Sequence, residues 1–150
     1  MFRIFLKLFF LLTLTTSFIN AEIIKKKVVL INSYHKGFFW TDLIQKSIFD
    51  VFNITENNGK LDFSNSTIEL KIINMDSKRN SNELYIKKVA LETKKIIEEY
   101  KPDLILTSDD NAVKYVIVPY FYNHNLPILF CGVNADASVY NLPSKNITGM

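Results

Sequence analysis

The chain predicts an α/β fold, a three-layer flavodoxin-like lobe built on a parallel sheet. Three observations carry that prediction. Apolar runs of strand length recur and end at small or polar residues: Val28 to Asn32, Ile68 to Asn74, Leu104 to Thr107 and Ile128 to Cys131. The first of these, from Val28 to Ile31, is continuous, as expected of a strand in a parallel sheet covered on both faces. Helical periodicity fills the gaps between them, giving a βαβαβαβ order with right-handed crossovers. Finally, 48% hydrophobic and 22% charged residues in a chain of 150 are globular proportions, enough for one domain with its own core.

The first strand and its exit set the frame. Val28 to Asp42 reads VVLINSYHKGFFWTD, a β-branched and leucine run that stops at Asn32 and Ser33 and gives way to an aromatic loop containing Gly37. Thr41 then opens a helix to Phe52. Ile44, Ile48, Val51 and Phe52 share one face, with Asp42, Gln45, Lys46 and Asp50 mostly on the other. Asn53 to Ser66 is polar around Asn-Asn-Gly and reads as a loop or small surface excursion. After the second strand, Asn80 with Glu83 resembles a capping box. The next helix runs to Tyr100, with Ile86, Val89, Ala90, Thr93, Ile97 and Tyr100 inward, and Pro102 stops it.

Ser108, Asp109 and Asp110 turn out of the third strand. An Asp at that position accepts free backbone N–H groups and complements the helix dipole, so one of the pair is expected to cap a helix beginning near Asn111. Pro119 limits or kinks that helix. Gly132, Val133 and Asn134 leave the fourth strand, and Ile147 with Thr148 forms a short further strand.

Met1 to Ala21 has the layout of a secretory signal: Arg3 and Lys7 form a positive end, and Leu8 to Phe18 an apolar stretch. The uncharged run from Leu8 to Ala21 is shorter than the ~20 residues of a spanning helix, which favours a cleaved signal over an anchor. Domain organisation is therefore an export segment over 1–21 and one lobe over 22–150. The expected location is periplasmic or otherwise extracytoplasmic, with membrane anchoring as the alternative. Of the 18 Lys and Arg, Arg3 and Lys7 belong to that segment, leaving 16 against 15 acids. Such a balance is no footprint for nucleic acid. The lone Cys131 makes no internal disulfide.

In open α/β sheets ligands sit outside the carboxyl ends of the strands. The exits gather Ser33, Tyr34 and His35, then Asp76, then Ser108 to Asp110, then Gly132 to Asn134. Small polar groups beside aromatic walls suit a small polar ligand. Phe38, Phe39 and Trp40 are more rings than an exposed turn needs, although packing against the sheet edge or a neighbouring domain accounts for such rings equally well. The ligand-binding candidates are Ser33, Tyr34, Trp40, Asp76, Ser108, Asp109, Gly132 and Asn134.

Catalysis, metal and cofactor are not expected. Adjacent Asp109 and Asp110 on a turn point apart, which argues against a shared-proton dyad, and only Asp76 is at hand as a further carboxylate ligand. Capping by one Asp and ligand hydrogen bonding by the other is the preferred division. His35 with Cys131 lacks an orienting third group, and His124 belongs to the opposite end of the sheet. A response-regulator receiver would carry metal-binding acids where Asn32 and Ser33 stand. A flavodoxin would carry a phosphate loop where SYHKGFFWT stands.

Four segments together, NSYHKGFFWTD (Asn32–Asp42), NMDSKR (Asn74–Arg79), PDLILTSDDNA (Pro102–Ala112) and PILFCGVN (Pro127–Asn134), resemble one family. They are similar to the N-terminal lobe of ABC-transporter substrate-binding-protein-like domains of the type I periplasmic-binding fold. Such domains often serve as extracytoplasmic sensors of bacterial histidine kinases and diguanylate cyclases. The resemblance implies a small molecule held between two lobes that close about a hinge, with the eight candidates on this lobe's side. It also implies that the second lobe lies outside this chain, which would then be truncated or completed by another chain. Membrane signalling modules or an ABC permease are the implied partners. Aromatic loops with few basic groups favour an amino acid or another flat compound over a polyphosphate. A small exported α/β enzyme using Asp109 and Asp110 is the remaining alternative.

Overall fold

The computed structural model describes residues 24–150. The expected export segment lies outside the described residues. Five strands, β1 (Lys26–Asn32), β4 (Ile68–Asn74), β5 (Leu104–Ser108), β6 (Ile128–Cys131) and β7 (Ile147–Gly149), form one sheet in the order β4-β1-β5-β6-β7. Every pairing in it is parallel. Counted within the sheet this is the flavodoxin-like order 2-1-3-4-5, with the strand order reversing at β1 and β5.

Both faces of the central strands are covered, which is why their sequences lack polar alternation. Val29 and Ile31 of β1 and Ile105 of β5 pack with Ile86, Ala90 and Ile97 of helix α2 (Glu83–Tyr100). The same core takes Ala112 to Phe121 from the next crossover. Val28 and Leu30, one residue out of phase, join Ile68, Leu70 and Phe49 of helix α1 (Phe39–Phe52) on the other face. The larger core therefore lies under α2, and α1 covers the smaller one.

Four local expectations change. Helix α1 begins at Phe39, and its buried stripe is Thr41, Gln45 and Phe49. Gln45 thus faces in, while Val51, expected inside, is exposed. Phe49 packs on Val28 and Leu30 of β1 and Ile68 and Leu70 of β4, and the stripe centred on it leaves Val51 outside. Asn82, not Asn80, caps α2: its Oδ1 accepts from the N–H groups of Leu84 at 2.8 Å and Tyr85 at 3.4 Å. Asn80 is committed elsewhere, its side chain donating to Asp76 Oδ2 at 3.0 Å.

The polar stretch after α1 is a hairpin, β2 (Thr55–Asn57) with β3 (Lys60–Asp62). Asn58 at φ 51° and Gly59 at φ 76° supply the two left-handed residues that a two-residue hairpin turn demands. Finally, the third crossover is helix α3 (Asp109–Ala112), a π-helical turn (Val113–Ile117) and helix α4 (Val118–Phe121). Pro119 has no N–H to donate, and the widened turn before it absorbs the missing bond. Among the described residues no helix is long and apolar enough to cross a membrane.

Candidate ligand cleft at the strand exits

The carboxyl ends of the strands carry two tiers of polar groups. The lower tier is hydrogen-bonded within itself, with Asn32, Ser33, Ser77 and Ser108 buried and Asn74 and Asn111 at its margin. Ser33 Oγ donates to the carbonyl of Ser108 at 2.7 Å and accepts from the N–H of Ala112 at 2.8 Å, tying β1 to β5 and to the end of α3. The Ser33 carbonyl accepts from both the N–H of Ser77 at 3.0 Å and its hydroxyl at 2.6 Å. Asn111 Nδ2 donates to Ser77 Oγ at 2.8 Å. Ser108 Oγ donates to Asn32 Oδ1 at 3.2 Å, and Asn32 Nδ2 donates to Asn74 Oδ1 at 2.9 Å. Two of the eight sequence candidates, Ser33 and Ser108, belong to this tier. Both are fully buried, and their hydroxyls hold the strand ends in register.

The upper tier opens into a cleft of 440 Å³ lined by Tyr34, Phe38, Trp40, Asp109, Gly132, Val133 and Asn134. Five of the eight candidates, Tyr34, Trp40, Asp109, Gly132 and Asn134, meet there at the point where the strand order reverses. Phe38 and Val133 complete the walls. Tyr34 and Phe38 meet edge to face at 5.2 Å between ring centroids, so the loop after β1 is braced by its own rings. The Nε1–H of Trp40, itself 46% exposed, donates to Asp109 Oδ1 at 3.0 Å. Gly132, at φ 69°, lies against that contact: a Cβ there would come within 3.3 Å of both Asp109 Oδ1 and Trp40 Nε1. Glycine suits this position in both conformation and space.

Asp109 and Asp110 divide their work differently from the expectation. Neither side chain caps the helix; the capping position is Ser108, without a side-chain bond. Asp110 instead clamps the loop after β6. Its Oδ2 accepts from the N–H and Nδ2 of Asn134, both at 3.1 Å, and its Oδ1 from the N–H of Ala135 at 3.2 Å and the hydroxyl of Tyr140 at 3.4 Å. Partial burial acts upward on the Asp110 carboxyl, but these hydrogen bonds outweigh it and hold the group below the usual carboxylate range.

Asp109 takes a left-handed φ of 66°, is 2% exposed, and its Oδ2 has no hydrogen-bond partner among the described residues. Burial pushes its carboxyl up, against the pull of the Ser108 hydroxyl and the Trp40 indole, and the Asp110 charge adds to the rise. The hydrogen bond that the Ser108 hydroxyl makes goes to Asn32 Oδ1 at 3.2 Å, and its pull on the Asp109 carboxyl comes from proximity. Burial, with the charges of both aspartates, also pushes the Tyr34 hydroxyl up.

Asp76, the eighth candidate, stands outside this lining. Arg79 grips it through two bonds, Nε to Oδ1 at 2.7 Å and a terminal nitrogen to Oδ2 at 2.8 Å, and Asn80 adds a third. The Arg79 hydrogen bond holds its carboxyl low despite partial desolvation. His35 Nδ1 lies 3.3 Å from Asp76 Oδ1 without the alignment of a hydrogen bond. Asp76 shapes the neighbouring turn, at its own left-handed φ of 53°. Burial and then the Asp109 charge push the Cys131 thiol up, which disfavours a thiolate nucleophile.

A larger cavity of 600 Å³ lies at the opposite end of the sheet, between the end of α2 and the connection into β6. His124 lies there, as its position in the sequence implies. Two of its polar groups are engaged: His124 Nδ1 accepts from the N–H of Leu126 at 3.2 Å, and Asp103 accepts from the N–H of Lys27 at 2.8 Å and from Lys26 Nζ at 3.0 Å.

No family model matches the chain, and no curated protein matches it. Among solved structures it is similar to the ligand-free, open form of a substrate-binding protein with adhesive properties from Clostridium difficile. The identity is 18% and the TM-score 0.55, over 83% of this chain and 38% of that one. The chain therefore spans well under half of that neighbour's length. The likeness is one of fold: a parallel sheet flanked by helices, matching a lobe of a substrate-binding protein.

Proposed function

We propose that this chain is a non-enzymatic, extracytoplasmic lobe that binds a small molecule in the cleft at its strand exits. A second lobe closes over the ligand, and the pair acts as the sensor of a signal-transduction receptor of the histidine kinase or diguanylate cyclase type. One observation carries the reading: three rings and a buried carboxylate with an unmet acceptor converge where a fold of this topology binds its ligands. Structural carboxylates elsewhere on the same edge, Asp76 and Asp110, are fully engaged. Asp109 keeps capacity in hand.

The description of the structural neighbour as a substrate-binding protein favours a second reading, the solute-binding component of an ABC importer. The two readings differ in the gene downstream of the lobes: a membrane span leading to a kinase or cyclase, or a stop after the second lobe. The common claim is tested by thermal-shift screening of the two-lobed protein. A ligand that binds only the native state raises the midpoint, by about 2.7 kcal/mol of stabilisation at a hundredfold excess over Kd. Absence of any stabilising small molecule across amino acids, nucleobases and related flat compounds would count against a binding cleft.

A further inference from the structure

The electrostatics of the cleft narrow its ligand. No Lys, Arg or His is among its lining residues, whereas Asp109 forms part of its wall and Asp110 stands directly behind the loop that carries Asn134. The Asp110 charge is spread over its four hydrogen bonds. That of Asp109 is met by the Trp40 indole N–H, by the nearby Ser108 hydroxyl and by the more distant charge of Lys78, while Oδ2 stays buried with no hydrogen-bond partner among the described residues. A buried acceptor without a donor leaves an interaction for an incoming group to supply.

The rings point the same way. Aromatic faces carry negative potential and attract cations within about 6 Å of their centroids. Two of the three lining rings already hold one. Lys78 Nζ sits 5.0 Å from the Tyr34 centroid and 4.6 Å from that of Phe38. Lys78 is exposed and does not line the cleft. Its ammonium shows that these faces accept positive charge, and it competes for them with anything that enters.

We propose that the cleft selects an organic cation, a ligand with a positively charged nitrogen on a flat apolar body, which Asp109 and the faces of Tyr34, Phe38 and Trp40 recognise together. The inference rests on the cleft being a ligand site, as proposed above. It adds that positive charge, and not merely flatness, is what the site reads. Lys78 is then a rival of the ligand and not a partner for a ligand carboxylate.

Trp40 is the only tryptophan of the chain, so its fluorescence reports on the cleft directly. The full chain is titrated with three probes of one shape and different charge: phenethylammonium, 2-phenylethanol and 3-phenylpropionate. Phenethylammonium is expected to bind at least roughly tenfold more tightly than the other two. Asp109→Asn, which keeps the acceptor for Trp40, is expected to erase that preference, and Lys78→Met to strengthen ammonium binding. Circular dichroism checks that each variant is folded. Should Asp109→Asn not fold, the charge series on the unaltered chain and on Lys78→Met still decides. Equal or tighter binding of the neutral or anionic probe overturns the cation inference but keeps the cleft as a ligand site. A Trp40 signal that no probe moves overturns the cleft itself.

Discussion

The two tiers at the carboxyl end of the sheet contain similar residue types and behave oppositely. In the lower one, Asn74, Asn32, Ser108, Ser33 and Ser77 form a continuous chain of hydrogen bonds, with the Ser33 hydroxyl both giving and receiving. In the upper one, Asp109 is just as buried and holds a single donor. Satisfied polar groups in a low-dielectric setting fix geometry, whereas an unsatisfied one costs stability and persists where it serves a function. The contrast separates scaffold from site among residues that share one edge.

Breaking the lower tier should have the largest effect. Ser33→Ala leaves the N–H of Ala112 without its side-chain acceptor and removes the shorter of two Ser33 donors to the Ser108 carbonyl, whose bond from the Ser33 backbone N–H at 3.3 Å remains. It should lower unfolding free energy in urea by about 2 kcal/mol, while native Trp40 emission stays as it is. Gly132→Ala strikes the upper tier through conformation. The left-handed backbone resists a side chain and the new methyl crowds the Trp40–Asp109 contact, so a loss of about 1 kcal/mol with a red-shifted Trp40 emission is expected.

Asp109→Asn should act in the other direction. Because burial raises the folded-state pKa of Asp109, wild-type stability falls as pH rises from the ordinary carboxylate value of 3.8 through the raised folded one, and the penalty is complete above it. The Asn variant should therefore be more stable than wild type at pH 7, by roughly 0.5 kcal/mol, with the difference vanishing below pH 3.8. Thermal melts across the acid range check this. A stabilising substitution that removes ligand discrimination is the signature of a functional carboxylate.

Asp76→Asn gives the smallest change. Its folded pKa is lowered, so its contribution is present above the unfolded value and is lost as pH falls through the folded one. Arg79 is largely exposed, and solvent screening limits the loss to a few tenths of a kcal/mol at pH 7, read from urea unfolding. Ligand binding should not change.

Most of the frame was legible in the sequence. The strands β4 and β6 have the bounds the sequence indicated, Ile68–Asn74 and Ile128–Cys131, and the strand exits were bound to share an edge because parallel crossovers permit nothing else. The site was legible as a neighbourhood. That Tyr34, Trp40, Asp109, Gly132 and Asn134 share a cleft while Ser33 and Ser108 lie beneath it depends on which face of a turn each residue presents, and turn dihedrals carry no periodicity. The division of labour between Asp109 and Asp110 was hidden for the same reason. A left-handed φ at Asp109 turns its carboxyl toward Trp40, leaving Asp110 to meet the Asn134 loop. The rotation of α1 was also out of reach, since its buried stripe of Thr41, Gln45 and Phe49 includes two polar residues that apolar periodicity does not mark. The hairpin signal was present in Asn58–Gly59, but the flanking residues are mostly exposed and show no apolar alternation.

The two cavities at opposite ends of the sheet allow the central claim to be tested in one measurement. Any compound that raises the melting midpoint of the two-lobed protein is re-examined on Trp40→Ala and on Leu126→Ala, which alter the 440 Å³ cleft and the 600 Å³ cavity respectively. The account predicts that the ligand-induced shift collapses in Trp40→Ala and survives in Leu126→Ala. A shift that survives loss of the indole and disappears with Leu126 would contradict it, and would move the binding site to the other end of the molecule.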